Sequence, residues 1–191
     1  MKLLTFLVII FLNIAGLNGQ SIYTIQTCNM NIKGTSTFHD WELKATTIRG
    51  TCEMHCEGQI IKEIKSFYLE IPTKGLKSDN GSKMMDDKVY TALKSDIIQN
   101  IIFRLEKIIS INPTANGWDV NAKGSFGIAG VNSSDDMIVH VKMEANGSIT
   151  LSGVKKLRML DYHIEPPKAM LGALTTGNEI EVDFSINLIK A

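Results

Sequence analysis

A His-Asp-Trp run at positions 39–41 is the first place in this chain where side chains capable of chemistry stand together. Histidine is the commonest general base, and a carboxylate is its usual orienting partner. On an extended strand, however, neighbouring side chains point to opposite faces. His39 and Trp41 would then share a face while Asp40 points away, so no His–Asp dyad forms. Two readings of the pair stand instead: a structural histidine beside a core tryptophan, or lining for a cavity, with His39 supplying a hydrogen bond to a quinone or phosphate head group. Asp161 and His163 lie two apart, on one side if extended. No Ser or Cys nucleophile or oxyanion site is tied to them by a motif, and a hydrolase would want both. Their expected role is to fix the Pro166-Pro167 crossing or to line a cavity mouth.

The run Cys52-Glu-Met-His-Cys56 has the look of a metal motif. On a strand, Cys52, Met54 and Cys56 share a face with His55 opposite. The two cysteines would be roughly 13 Å apart at strand rise. That is beyond disulfide reach and too far for two thiolates on one zinc. In an oxidising compartment, Cys28 pairing with Cys52 or Cys56 across strands is the more plausible use, with one cysteine left over. Gly124, Gly127 and Gly130 are spaced G-x-x-G-x-x-G, which is not the dinucleotide fingerprint. They read as strand glycines that permit curvature or close approach.

The elements that would carry these residues are mostly strands. Residues 118–128 alternate cleanly, with Trp118, Val120, Ala122, Gly124, Phe126 and Ile128 on one face and polar residues on the other, as in a half-buried antiparallel strand. Residues 179–190 repeat the pattern through Ile180, Val182, Phe184, Ile186 and Leu188. Met137, Val139, Val141 and Met143 mark another strand. Ile149, Leu151, Leu157 and Met159 share the parity of one long strand. Phe67, Leu69 and Ile71 mark a further strand, as do Ile101, Phe103 and Leu105. A hairpin loop is expected across residues 112–117, a tight turn at Asn146-Gly147, and a Ser/Asp-rich connection at residues 130–136. One segment predicts a helix: Ser82 as N-cap, then Met85, Val89, Ala92 and Leu93 on one face. Asp86 and Asp87 fall in its first turn and Lys94 in its last, matching the helix dipole.

With 191 residues, the chain predicts one domain. Its 20 basic and 20 acidic residues balance, which argues against nucleic acid or an anionic membrane surface as the main partner. The N-terminus has a basic residue at Lys2, an apolar run over residues 3–12, and small residues at Ala15, Gly16 and Gly19, the layout of a secretory signal peptide. Residues 1–19 are therefore expected to be a leader and 20–191 an exported domain, periplasmic or secreted, with no membrane span in the mature chain.

Many long strands and one short helix imply an all-β architecture of about eight strands, curled into a closed antiparallel barrel without exposed edges. Such a barrel has room for its own side chains or for one small ligand. Ala122 and Gly124, small and inward, leave space between Val120 and Phe126. That space is either part of a cavity or a seat for a neighbouring side chain.

Four segments, in order, resemble the YceI-like family, the polyisoprenoid-binding, lipocalin-like domains, of the type found in secreted Bacteroidetes members. They are residues 34–42 (GTSTFHDWE), 84–94 (MMDDKVYTALK) with 101–103 behind them, 124–130 (GSFGIAG) and 156–177. The resemblance implies an elongated antiparallel barrel crossed by a helix, with an apolar tunnel that holds an isoprenoid chain of the quinone or polyprenyl type. It transfers no catalytic residue and no cofactor. The chain departs from the family pattern where a Pro is usual before the strand after the helix, since residues 96–100 have none, and in carrying three cysteines. The expected function is non-enzymatic sequestration or carriage of an apolar lipid. The ligand-binding residues are expected to be His39, Trp41, Phe67, Phe103, Trp118, Phe126, Val139, Leu151 and Phe184. Two alternatives stand beside it: a filled barrel acting in envelope stress or adhesion, and a metal or redox module built on Cys52, Met54, Cys56 and His39. The oligomeric state is left open, a homodimer included.

Overall fold

The computed structural model describes residues 21–169 and 173–191. The expected leader at residues 1–19 and part of the C-terminal crossing, residues 170–172, lie outside the described residues. Among the described residues, eleven strands alternate antiparallel around a closed wall: β1 (Ser21–Ser36), β2 (Trp41–Ala45), β3 (Arg49–Glu57), β4 (Ile60–Pro72), β5 (Leu76–Ser78), β6 (Asn100–Thr114), β7 (Gly117–Ile128), β8 (Val131–Met143), β9 (Ile149–Arg158), β10 (Lys168–Ala169) and β11 (Leu174–Lys190). Helix α1 (Lys83–Ala92) follows β5, and short 3₁₀ turns occupy Thr73–Gly75 and Met159–Tyr162. No helix among the described residues is long and apolar enough to cross a membrane.

The eleven strands make eight staves. The order β11-β9-β8-β7-β6-β4-β3-β1 closes through β1 pairing back onto β11. β1 meets β3 near its start, where Tyr23 faces Cys52, and β2 further along, where Ile32 faces Leu43. Both pairings fall on one register, so β2 and β3 are a single stave interrupted at residues 46–48. β4 and β5 are interrupted beside it by the turn Thr73–Gly75. The two breaks are tied together: Thr46 donates to the Gly75 carbonyl through both its N–H and its hydroxyl, each at 2.9 Å.

Local sequence sets most of these elements. The β7–β8 connection is a two-residue turn, Ala129 (φ 51°) and Gly130 (φ 85°), with both central residues at positive φ as a tight hairpin requires. The Ser/Asp-rich run expected to be a connection is therefore the first half of β8, and the turn is shorter than the composition suggests. Likewise Asn112 and Pro113 lie inside β6, and the β6–β7 turn is confined to residues 115–116. Bulges reset the alternation where β4 and β6 would otherwise drift: Lys65 and Lys62 are extra residues against β3, and Glu106 and Ile109 are extra against β7. After each bulge the apolar residues again face inward.

α1 forms where its caps predict. The Ser82 hydroxyl accepts from the Met85 N–H at 3.3 Å. Met85, Val89, Ala92 and Leu93 turn toward the barrel interior. The helix ends at Ala92, and Lys94, expected in its last turn, sits beyond it with φ 55°. Asp86 anchors the helix to the wall: its carboxylate accepts from the Ser78 N–H at 2.7 Å and pairs with Lys77 at 3.3 Å. Burial alone pushes the Asp86 carboxyl up, but these partners outweigh it and hold it below the usual carboxylate range.

Candidate ligand cavity

The inward faces of the staves do not pack alike along the barrel axis. At the end away from α1 they close: Met54, Val141 and Ile149 are each 1 % exposed and Leu188 is 0 %. Toward the α1 end, Phe103, Phe126, Val139, Leu157, Ile180 and Val182 also point inward, yet each stays only half-buried. Side chains that face inward and still keep accessible surface are facing a hollow. That hollow is a cavity of about 460 Å³, within the range of about 300–1,000 Å³ typical of small-molecule pockets. Its lining is overwhelmingly apolar, with the inner face of α1 closing over one side.

The structure brings most of the sequence-predicted residues to this cavity. Trp41, Phe67, Phe103, Phe126, Val139, Leu151 and Phe184 all line it, and so does His39. Trp118 does not: it is half-buried at the start of β7, opposite Pro113 and Val141, beside the closed end. His39 reaches the cavity from a different setting than a strand. β1 stops at Ser36 and β2 begins at Trp41, and the chain reverses between them. The Ser36 hydroxyl donates to the His39 carbonyl at 2.6 Å, and the His39 ring nitrogen Nδ1 is 2.9 Å from the Asp40 carbonyl oxygen. The exposed imidazole thus meets Asp40 through backbone rather than through a carboxylate.

Small residues do not by themselves create the hollow. The Phe103 ring fills the space over Gly124, where an added Cβ would lie 2.2 Å from its Cε2 atom. Phe103 is in turn held between Phe126, at 4.9 Å between ring centroids, and Phe67, at 6.0 Å. Of the two readings of that space, the seat for a neighbouring side chain is the one realised at Gly124. Trp41 uses Gly34 in the same way and donates its indole N–H to the Thr35 carbonyl at 3.1 Å.

The cysteine expectations separate. Cys52 and Met54 face inward as the alternation implies, and both line the cavity. Burial pushes the thiols of Cys28 and Cys52 up to about 12, the mark of inert rather than nucleophilic sulfur. All three cysteines are free. The expected bridge from Cys28 fails on register: Tyr23, not Cys28, faces Cys52, and Cys28 sits five residues further along β1 opposite Ile186. That is roughly 16 Å of strand, well past disulfide reach. Asp161 is held by Arg158 in a two-pronged ion pair, both contacts 3.0 Å, and His163 caps the turn Met159–Tyr162 at φ 54°. Neither lines the cavity, whereas Met159, Tyr162, Ile164 and Pro167 of the same crossing do.

Among the lining residues that the sequence reading did not name, Lys155 stands out by its mostly buried charge. Lys155 lies on the inward parity of β9, between Leu151 and Leu157, with a side chain only 12 % exposed. The signal was present as a charged residue at an inward position of an apolar strand.

No family model and no curated protein matches the chain. Solved structures do. Burkholderia cenocepacia BcnA superposes with a TM-score of 0.67 at 14 % identity, over 84 % of this chain and 95 % of its own. A polyisoprenoid binding domain from Saccharophagus degradans, implicated in plant cell wall breakdown, gives 0.67 at 13 % identity, over 91 % of this chain and 100 % of its own. The fold is that of the YceI-like domains. A Campylobacter jejuni YceI protein agrees, with a TM-score of 0.59 at 13 % identity over 78 % of this chain and 84 % of its own. The YceI-like barrel is thus kept here with little of the sequence in common, which is what an architecture set by alternation and closure allows.

Proposed function

We propose that this protein is an exported, non-enzymatic binding protein that carries or sequesters one long apolar lipid of the isoprenoid class in its barrel. One observation carries the reading: an apolar cavity of about 460 Å³ lies inside a wall that is elsewhere packed to near-zero exposure. A hollow lined by aromatic and aliphatic side chains rewards apolar transfer, at about 0.8 kcal/mol per buried methylene. A tail of a few isoprene units therefore binds without polar contacts along its length. The YceI-like fold of a neighbour described as polyisoprenoid-binding supports the same class of ligand. The apolar N-terminal run behind Lys2 supports export to the periplasm or beyond. The test is native mass spectrometry of protein purified without detergent, with organic extraction of any bound mass. One equivalent of an isoprenoid, or uptake of a quinone or polyprenol supplied to the empty protein, is the expected result. An empty barrel with no affinity for either ends the reading.

A further inference from the structure

The closed barrel has a short ladder at the seam between β8 and β9. β8 pairs with β7 along nearly its whole length, from Val131 to Val141, and β9 pairs with β11 from Ile149 to Arg158. β8 and β9 pair with each other only where His140, Val141, Lys142 and Met143 face Ser152, Leu151, Thr150 and Ile149. Beyond that point the two strands are unpaired: Gly153 still abuts the Ile138 carbonyl oxygen, and the gap lies between residues 131–137 and 154–158. The slit between them opens toward the α1 end, and the turn Met159–Tyr162 packs against both strands.

Polar groups are concentrated at this slit. Lys155 reaches across it from β9 to the Asp135 carboxylate and donates to the Asp136 carbonyl at 2.9 Å. Its ammonium lies 5.8 Å from the centre of the Phe126 ring, which lines the cavity. Tyr162, at the end of the turn beside β8, is buried and also in the cavity lining. Burial and then the nearby carboxylates of Asp135 and Asp161 push the Tyr162 hydroxyl up to about 12, so it stays protonated.

Counting protons shows what is left over. An ammonium has three donors, and Asp135 and Asp136 take two. The Tyr162 hydroxyl, kept protonated, adds one donor of its own. The charge of Lys155 is already balanced by Asp135, whose side chain is 55 % exposed. The slit therefore offers unused donors without unused positive charge, at the wetter edge of an apolar hollow.

We infer that the slit between β8 and β9 is the head-group site, where Lys155 and Tyr162 hold a neutral hydrogen-bond acceptor, a carbonyl oxygen, while the tail fills the cavity. The inference rests on the lipid-binding reading and locates the polar end away from His39. It predicts selectivity: among ligands with one tail, a ketone binds better than a hydrocarbon, and a carboxylate gains nothing over the ketone because Asp135 already occupies the charge.

Three probes share a farnesyl-type tail: farnesylacetone, farnesene and farnesoic acid. Their affinities are read from the emission of Trp41, which lines the cavity, in wild type, Lys155→Met, Tyr162→Phe and His39→Ala. The expected result is a ketone preference over hydrocarbon of about tenfold in wild type, the size of one charge-assisted hydrogen bond. That preference disappears in Lys155→Met and shrinks in Tyr162→Phe, whereas His39→Ala keeps it. Tyr162→Phe is nearly isosteric and keeps the test decisive should Lys155→Met fold poorly. Failure of all three probes to bind wild type overturns the lipid-binding reading and this one with it. Equal binding of ketone and hydrocarbon, a preference that survives Lys155→Met and Tyr162→Phe, a preference lost in His39→Ala, or tighter binding of the acid overturns only the head-group site.

Discussion

Replacing Ala122 by Phe sets the hollow directly against a solid core. Ala122 is buried on β7, lines the cavity, and faces Ile108 on one side and Met137 on the other. In a close-packed interior, adding a phenyl ring forces neighbours off their rotamers and costs about 1–3 kcal/mol. In a cavity of about 460 Å³ the ring instead finds room. Its burial then adds up to about 1.5–3 kcal/mol of apolar transfer, so stability should hold or rise. Ligand affinity should move the other way. The ring takes the place of about five ligand carbons, one isoprene unit, worth about 4 kcal/mol at 0.8 per carbon, or roughly a thousandfold in Kd. Urea unfolding of the ligand-free protein gives the first quantity, and titration with a farnesyl or longer probe gives the second. A variant destabilised by several kcal/mol, or one that binds the probe as wild type does, refutes the argument that this position borders the ligand's space.

Gly124→Ala should behave differently from Ala122→Phe. The new methyl group meets the Phe103 ring, itself wedged between Phe67 and Phe126. A loss of about 1–3 kcal/mol in urea melts is expected, and a neutral result would mean the aromatic cluster yields freely. Asp86→Asn should lose about 1 kcal/mol at pH 7, the difference between a charged and a neutral acceptor. Because the native Asp86 carboxyl lies below its ordinary value, its contribution is complete above about pH 4. It fades as the pH falls through the lower native value, so the gap between wild type and variant should close in acid; a gap that stays constant down to acid pH removes Asp86 as the anchor. Cys28 and Cys52, with thiols pushed up to about 12 by burial, should resist iodoacetamide at pH 8 in the folded protein and react on unfolding. Rapid labelling of the native protein would contradict their placement.

The alternation of residues 118–128 and 179–190 determined two staves and their inward faces without help from the fold, because a half-buried strand must repeat every two residues. The Ser82 cap and the spacing of Met85, Val89 and Ala92 determined the helix and the face it turns inward for an equally local reason. Trp41, Phe67, Phe103, Phe126, Val139, Leu151 and Phe184 were found as lining because parity plus closure leaves an inward apolar residue nowhere else to point. Trp118 has the same parity and misses the cavity, since parity says which face but not how far along the axis the packing stays solid. Tertiary structure alone decided that. It also decided that Phe103 fills the space over Gly124, that Cys28 is out of register with Cys52, and that β8 and β9 part after four residue pairs. Each depends on how distant strands are staggered and how far they diverge, and these are properties of pairing between segments that no single segment encodes. Lys155 shows both halves at once: its inward position was written in β9, but the slit that makes a charge tolerable there exists only in the assembled barrel.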